Sequence, residues 1–146
     1  MRDLFEENPS LEAKISSLME AGNKLDEAGK KKQALAAYNK AWGLLPEPKM
    51  NWKLLTGWIA GSFYNFYFDS GDFNTAKQWA KVALIGRVER NTGPLIDLGM
   101  VCLELHEEDE AFLCFNAAYT FGEERAFKER PKKYLSFYLS KKKNGV

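Results

Sequence analysis

The sequence contains little of what most enzymes use for chemistry. It has one histidine and two cysteines, and the cysteines, Cys102 and Cys114, do not form a CxxC pair. The phosphate-binding, dinucleotide-binding and zinc-protease signatures GxxxxGK[ST], GxGxxG and HExxH do not occur. We therefore expect a protein that is not an enzyme, with no catalytic residues, no cofactor and no metal site.

Strong net charge and long apolar runs are also missing. The formal charge is +1, from 21 basic and 20 acidic residues, so no overall field directs the protein to nucleic acid or to an acidic membrane. The longest apolar stretch, residues 58–68, is interrupted by Ser62 and Asn65 and is shorter than the roughly 20 residues that span a bilayer. The first residues lack the apolar core of a secretory signal. We expect a cytoplasmic protein with neither a membrane nor a nucleic acid as partner.

The few reactive side chains have ordinary structural explanations. His106 is expected in a turn between two helices. Cys102 and Cys114 fall on apolar helical positions, where cysteine behaves as a small hydrophobic residue. The lysine runs at 30–32 and 141–143 have no aromatic side chains between them. A nuclease or RNA-binding protein that uses these lysines is therefore the least favoured alternative.

The main positive signal is a set of small and aromatic residues that recurs three times at helical spacing. The first copy contains Leu18-x-x-Ala21-Gly22-x-x-Leu25, Gly29 and Ala34-x-x-x-Tyr38-x-x-Ala41. The second contains Ala60-x-x-Phe63-Tyr64-x-x-Tyr67, Gly71, Ala76, Ala80 and Ala83, with a tyrosine where the small residue usually stands. The third contains Leu95-x-x-Leu98-Gly99-x-x-Cys102, His106 and Ala111-x-x-x-Phe115-x-x-Ala118. The arrangement resembles the helix–turn–helix unit of tetratricopeptide repeat proteins.

This resemblance implies an all-α fold, namely an antiparallel helix-pair solenoid of about three repeats with a C-terminal capping helix. A single domain over residues 1–146 is expected. Its repeats are expected at about 15–48, 52–90 and 92–125, and its capping helix at about 129–142. The six helices of the repeats are expected at about 11–28, 31–44, 52–69, 73–86, 93–105 and 108–121.

Two segments outside the repeat pattern have predictable structure. Pro46 and Pro48 predict a rigid connector after the first repeat, with Asn51 as the cap of the next helix. In the capping helix, Pro131 is expected in the first turn. The residues expected to face inward from that helix are Tyr134, Leu135, Phe137, Tyr138 and Leu139.

In tetratricopeptide proteins the first helix of each pair lines a concave surface, and the resemblance implies that a partner binds there. The expected groove residues are Met19, Glu20, Asn23, Asp26, Glu27, Trp58, Ser62, Asn65, Phe68, Asp69, Ile96, Asp97, Met100 and Glu104. Their charged members are all acidic, which favours a basic partner. Trp58, Phe68 and the two methionines are expected to be exposed apolar anchors.

Four further segments carry a second resemblance: the connector at 44–49, the tryptophan-containing helix after it, residues 91–99 and residues 133–139. They are similar to short stand-alone bacterial tetratricopeptide proteins that act as immunity partners of polymorphic or contact-dependent toxins. This similarity implies that the protein neutralises a basic toxin domain by occlusion. The alternative is a general scaffold or chaperone-like adaptor that holds a peptide segment in its groove.

Overall fold

The computed structural model describes residues 2–88 and 90–144, and all the regular secondary structure in these ranges is helical. The α-helices are α1 Leu4–Glu7, α2 Pro9–Glu27, α3 Lys31–Leu44, α4 Lys53–Asp69, α5 Phe73–Ile85, α6 Gly93–Glu104, α7 Glu108–Gly122 and α8 Lys132–Lys143. Short 3-10 turns lie at Lys49–Asn51 and Glu123–Phe127. The predicted all-α fold class is confirmed. None of the described helices is long and apolar enough to cross a membrane.

The helices pack as consecutive pairs, α2 with α3, α4 with α5 and α6 with α7. A short turn joins the two helices of each pair, so they run antiparallel. The chain divides into two compact units, Met1–Arg87 and Val88–Val146. The first unit contains α1 to α5, and the second contains α6 to α8. The helix pairs and the additional C-terminal helix agree with the prediction from the sequence, whereas the single domain stays a prediction.

One hydrogen-bonded turn closes the first helix of every pair. The N–H groups of Gly29, Gly71 and His106 donate to the carbonyl oxygen three residues earlier, at 3.0, 3.0 and 2.9 Å. The next N–H in each turn reaches back five residues, at 2.8, 2.9 and 2.8 Å. The three turn residues have φ values of +80°, +83° and +63°, the left-handed conformation that ends many helices. These turns give the three pairs a common register.

Small residues on the first helix of a pair let an aromatic ring on the second helix approach closely. A Cβ atom on Gly22 would lie 2.6 Å from Cε1 of Tyr38, and one on Gly99 would overlap the phenylalanine ring opposite. At the corresponding positions of the second pair the sizes are exchanged, because Tyr64 is on the first helix and Ala80 on the second. Both are buried. The tyrosine that departs from the repeat pattern is thus matched by a smaller residue opposite.

Several aromatic rings meet in the core of the first unit. The rings of Phe63 and Trp79 stack with their centroids 4.1 Å apart. Tyr38 meets Phe63 edge-on at 5.8 Å, and Trp42 meets Trp79 edge-on at 5.2 Å. Ala34 on α3 is fully buried in the same core. Such edge-on and offset pairs are favourable arrangements of aromatic quadrupoles, and they hold α3, α4 and α5 together.

The helix boundaries differ from the prediction at the connector and at the last helix. Asn51 lies in the 3-10 turn, and the residue that caps α4 is Trp52. The indole N–H of Trp52 donates to the carbonyl oxygen of Pro46 at 3.1 Å, so the indole holds the connector in place. Pro131 precedes α8 as its cap, because its ψ of 137° is extended and lies outside the helical range.

Candidate functional site

A cavity of about 560 Å³ lies between α2 and α4 in the first unit. It is lined by Asn23, Asp26, Glu27, Tyr38, Gly57, Trp58, Gly61, Ser62, Asn65 and Asp69. The structure therefore brings seven of the predicted groove residues together around one cavity. The three lining residues that were not predicted are a tyrosine and two glycines.

The α4 wall of the cavity is formed by one face of the helix. Trp58, Ser62, Asn65 and Asp69 follow one another at spacings of three or four residues, which places them on the same side. Gly57 and Gly61 lie beside them, and apart from the adjacent backbone of α4 no heavy atom of the described residues lies within 4 Å of the position that a Cβ atom would take at either glycine. The cavity exists in part because this face of α4 lacks two side chains.

The charge at the cavity is negative and only partly neutralised. Asp26 forms an ion pair with Lys31, with 2.5 Å between Oδ1 and Nζ. Glu27 and Asp69 have no basic group within 4.0 Å in the described part of the chain, and both side chains are exposed. Two carboxylates at the cavity are therefore available to a cation from outside.

The inner side of the cavity is held by a hydrogen bond between α2 and α3. The hydroxyl of Tyr38 donates to Oδ1 of Asn23 at 2.6 Å. Burial, together with the smaller effect of the charges of Asp26 and Glu27, raises the pKa of Tyr38 to about 12. The tyrosine is thus a neutral donor at ordinary pH. Trp58 is half-buried against the core of the first unit, which fixes its position at the cavity.

Three predicted groove residues lie in the core instead, and their assignment as groove residues is wrong. Met19 and Ile96 are 0% exposed and Met100 is 7% exposed. On α2 the inward stripe consists of Ile15, Met19 and Gly22, which follow the helical spacing of four and three residues. Two of the four expected exposed anchors, Met19 and Met100, are therefore core residues.

Two more predicted residues lie outside the cavity. Glu20 is exposed on α2 but does not line the cavity. Phe68 is half-buried, and its ring packs against those of Tyr64 and Phe73 at centroid distances of 5.4 and 5.2 Å. Phe68 thus contributes to packing between α4 and α5, and Trp58 is the one predicted aromatic anchor at the cavity.

In the second unit, the predicted acidic residues are bound by the chain itself. Nη1 of Arg130 donates to Oδ1 of Asp97 at 2.5 Å. Nζ of Lys133 lies 2.9 Å from Oε2 of Glu104, and the hydroxyl of Tyr134 donates to the same oxygen at 2.9 Å. The expectation that Asp97 and Glu104 present open charge to a partner is therefore corrected, because the segment that begins α8 neutralises them.

These contacts change the acidity of both carboxyl groups. Burial raises the pKa of Glu104, but the hydrogen bonds from Lys133 and Tyr134 and the nearby positive charge together outweigh burial, and the pKa lies below its ordinary value. At Asp97 burial is the larger effect, and the pKa is raised although the guanidinium of Arg130 opposes the change. The contact between α6 and the start of α8 is thus partly withdrawn from water.

The tyrosines of α8 form its inward face, with one difference from the prediction. Tyr134 and Tyr138 are buried, and the hydroxyl of Tyr138 donates to Oδ1 of Asn116 on α7 at 2.6 Å. Leu139 was expected to face inward but is 37% exposed. It follows directly after Tyr138, and about 100° of helical rotation turns it away from the packed side.

One group of potential metal ligands occurs among the described residues. The ligand atoms of Cys102, Glu107 and Glu110 all lie within 4.8 Å of one another. The group consists of one buried thiol and two carboxylates. It therefore offers three ligands, one fewer than the four of a structural zinc site. The sequence did not predict this grouping, because the three residues are separated by a turn.

No model of a known protein family matches this chain, and no curated protein sequence matches it. Its function must therefore be inferred from the repeat register and from the chemistry of the cavity between α2 and α4.

Proposed function

We propose that the protein is a tetratricopeptide-like binding module without catalytic activity, and that its cavity between α2 and α4 receives a basic segment of another protein. The observation that carries this proposal is that Glu27 and Asp69, two carboxylates without a basic partner in the described chain, border the same cavity as Trp58. The common turn register and the small residues at helix contacts support the assignment to the tetratricopeptide class.

The cavity offers a lysine or arginine side chain two kinds of favourable contact. A charge-assisted hydrogen bond to a carboxylate contributes about 1.5–3 kcal/mol when it is partly shielded from water. A cation near the face of a tryptophan ring contributes about 0.5–2 kcal/mol more. An acidic side chain at the same place would be repelled by Glu27 and Asp69. Charge and ring together therefore select for a basic partner.

The particular role that we propose is that of a bacterial immunity protein, which neutralises a basic toxin domain in the cytoplasm by covering a surface that the toxin needs. The acidity of the cavity supports this role, because complementary charge speeds association with a basic protein. The resemblance of the connector and of the C-terminal segment to small immunity proteins of toxin systems supports it as well.

Co-expression in bacteria with candidate basic toxin domains, including one encoded beside its gene, tests this role. The parent protein should restore growth, and a variant that carries Glu27→Lys and Asp69→Lys should not. Glu20→Lys makes the same change of charge outside the cavity and should still restore growth. Restoration by all three proteins would show that the cavity is not the toxin-binding site.

The second candidate is a general adaptor that binds a peptide segment. The size of the cavity favours it, because about 560 Å³ suits a few side chains, whereas a tight protein complex buries about 1,600 Å² over a broad surface. An adaptor should bind several unrelated basic peptides with similar affinity. An immunity protein should bind one toxin domain far more tightly than any peptide.

A further inference from the structure

The three helix pairs carry an acidic residue at one shared position. Glu27, Asp69 and Glu104 each stand two residues before the left-handed residue of their turn. The shared register makes them structurally equivalent within their pairs, near the end of α2, α4 and α6. Glu20 stands nine residues before its turn, as Asp97 does, but Glu20 does not line the cavity.

The second unit shows what this acidic position binds. There Glu104 accepts a hydrogen bond from Tyr134 and pairs with Lys133, and Asp97 pairs with Arg130. These three partners come from five consecutive residues, in the arrangement Arg-x-x-Lys-Tyr, at the start of a helix. A basic segment with an adjacent tyrosine is thus the occupant that the chain itself supplies.

In the first unit no described residue fills the corresponding place. The helix that faces α2 is α4, and it presents Gly57, Gly61 and Ser62 at the cavity. In the second unit, Arg130 just before α8 and the lysine and tyrosine in its first turn contact the acidic residues of α6. Apart from the adjacent backbone of α4, no heavy atom of the described residues lies within 4 Å of either Cβ position. Glu27 and Asp69 accordingly have no basic partner among the described residues.

We propose that the cavity between α2 and α4 binds the start of a helix from the partner protein, together with the two residues before it, through an arginine or lysine and a neighbouring tyrosine arranged as in residues 130–134. The basic side chain pairs with Glu27 or Asp69 over the ring of Trp58, and the tyrosine hydroxyl donates to a carboxylate, as Tyr134 does to Glu104. This inference rests on the proposed protein-binding function and names the chemistry of the segment that is bound.

The test uses the full chain and a synthetic peptide with the sequence of residues 128–142, labelled for fluorescence anisotropy. A control peptide has Gln, Gln and Phe at the places of Arg130, Lys133 and Tyr134. The first peptide should bind, and the control peptide should bind at least about tenfold more weakly, because it has lost two charge-assisted contacts. Glu27→Gln combined with Asp69→Asn should weaken binding of the first peptide by a similar factor.

A substitution that fills the cavity can distinguish a loss of peptide binding from a loss of folding. Gly61→Met adds a side chain at a cavity-lining position whose Cβ atom would meet no neighbouring side chain among the described residues. It should abolish peptide binding while the circular dichroism spectrum stays unchanged. Gly43→Met is the matched control, because Gly43 is an exposed helical glycine on α3 that also has no heavy atom near its Cβ position. It should leave binding unchanged.

Three results would overturn the inference. If Gly61→Met binds the peptide like the parent while Asp97→Asn changes binding, the peptide binds in the second unit, where it displaces the chain's own residues 128–142. If spermine displaces the labelled peptide as well as an unlabelled peptide does at the same concentration of amino groups, the cavity is a general cation site. If neither peptide binds, yet the parent still neutralises a basic protein and the Glu27 and Asp69 variant does not, the proposed function stands and the helical arrangement is wrong.

Discussion

The left-handed residue of the inter-helix turn differs between the helix pairs. It is Gly29 in the first pair, Gly71 in the second and His106 in the third, with φ values between +63° and +83°. A side chain in this conformation costs about 1–2 kcal/mol because Cβ crowds the carbonyl oxygen, and glycine avoids this cost. The third turn is therefore strained at one position where the other two are not.

We expect His106→Gly to stabilise the protein by about 0.5–1 kcal/mol, since relief of the strain exceeds the entropy that a glycine loses on folding. Chemical denaturation followed by circular dichroism measures the change. Gly71→Ala introduces the same strain into the second turn and should destabilise the protein by about 1 kcal/mol. A loss of stability in His106→Gly would mean that the imidazole makes a contact that outweighs the backbone strain.

A second prediction at this scale concerns the glycine under an aromatic ring. Gly99→Ala places a Cβ atom against the ring of Phe115, which is fully buried and cannot move freely. We expect a loss of about 1–3 kcal/mol from overpacking. Gly43→Ala is the control, because it adds the same methyl group at a helical position where it meets no neighbouring side chain among the described residues. It should increase the free energy of unfolding by up to about 1 kcal/mol through helix propensity. Equal effects of the two changes in urea denaturation would contradict the packing described for α6 and α7.

Among the elements, α8 and the 3-10 turn before it pack on α7 through aromatic rings, and the start of α8 makes charged contacts to α6. The ring of Phe115 lies 5.3 Å from that of Phe127 and 6.1 Å from that of Tyr134, measured between centroids. The ring of Tyr138 stacks on Phe112 at 5.3 Å. Removal of residues 123–146 should therefore expose the aromatic face of α7.

We expect the chain that ends at Gly122 to bind the dye ANS and to lose cooperative unfolding, because α7 then has no cover for its buried aromatic residues. Size-exclusion chromatography should show association of the truncated chain. Leu139→Ser is the control, since Leu139 is exposed on α8 and its loss should leave the unfolding transition unchanged. A truncated chain that stays monomeric and unfolds like the parent would show that α8 does not stabilise the unit.

The charged contact of α8 should make stability depend on pH. The pKa of Glu104 is lowered in the folded protein, so its contribution is complete above the unfolded carboxyl pKa of about 4.3. This contribution is lost as the pH falls through the lower folded pKa. The difference in unfolding free energy between the parent and Glu104→Gln should therefore narrow below about pH 4.

The comparison at acidic pH has an internal control. Glu108 also lies near a lysine, with 3.9 Å between its Oε1 and Nζ of Lys141, but its side chain is 59% exposed. Pairs of this kind contribute little to stability. Glu108→Gln should follow the parent over the whole pH range in urea denaturation. A constant difference between Glu104→Gln and the parent from pH 3 to pH 7 would mean that Glu104 acts by packing and not by charge.

The sequence predicted the elements well because their signals are local. The small residues at helix contacts and the glycines at the turns, Gly29 and Gly71, lie only a few residues apart within each repeat. The sequence did not predict the contacts between α6 and the segment that leads into α8, because Arg130 and Asp97 are 33 residues apart. The sequence pattern did not separate the two faces of α2 at Met19 and Glu20. Adjacent residues on a helix are rotated by about 100°, so Glu20 is exposed while Met19 is buried.

For the whole molecule, a net charge of +1 conceals a local excess of negative charge at one cavity. Asp69 is exposed at the edge of this cavity, whereas Trp58 is half-buried within it. Exposed charges act mainly on the approach of a partner, and buried aromatic anchors act mainly on how long the partner stays bound. Substitutions at the two residues should therefore change different rate constants.

We expect Asp69→Lys to slow association with a basic partner and to weaken the dependence of the association rate on salt, with little change in dissociation. Trp58→Ala should speed dissociation and cost about 2 kcal/mol of binding free energy, with association nearly unchanged. Surface plasmon resonance at low and at moderate salt measures both rate constants. Glu20→Lys, the same charge change outside the cavity, should have the smallest effect. If it slows association as much as Asp69→Lys does, the partner responds to the total charge of the protein, and the cavity does not direct its approach.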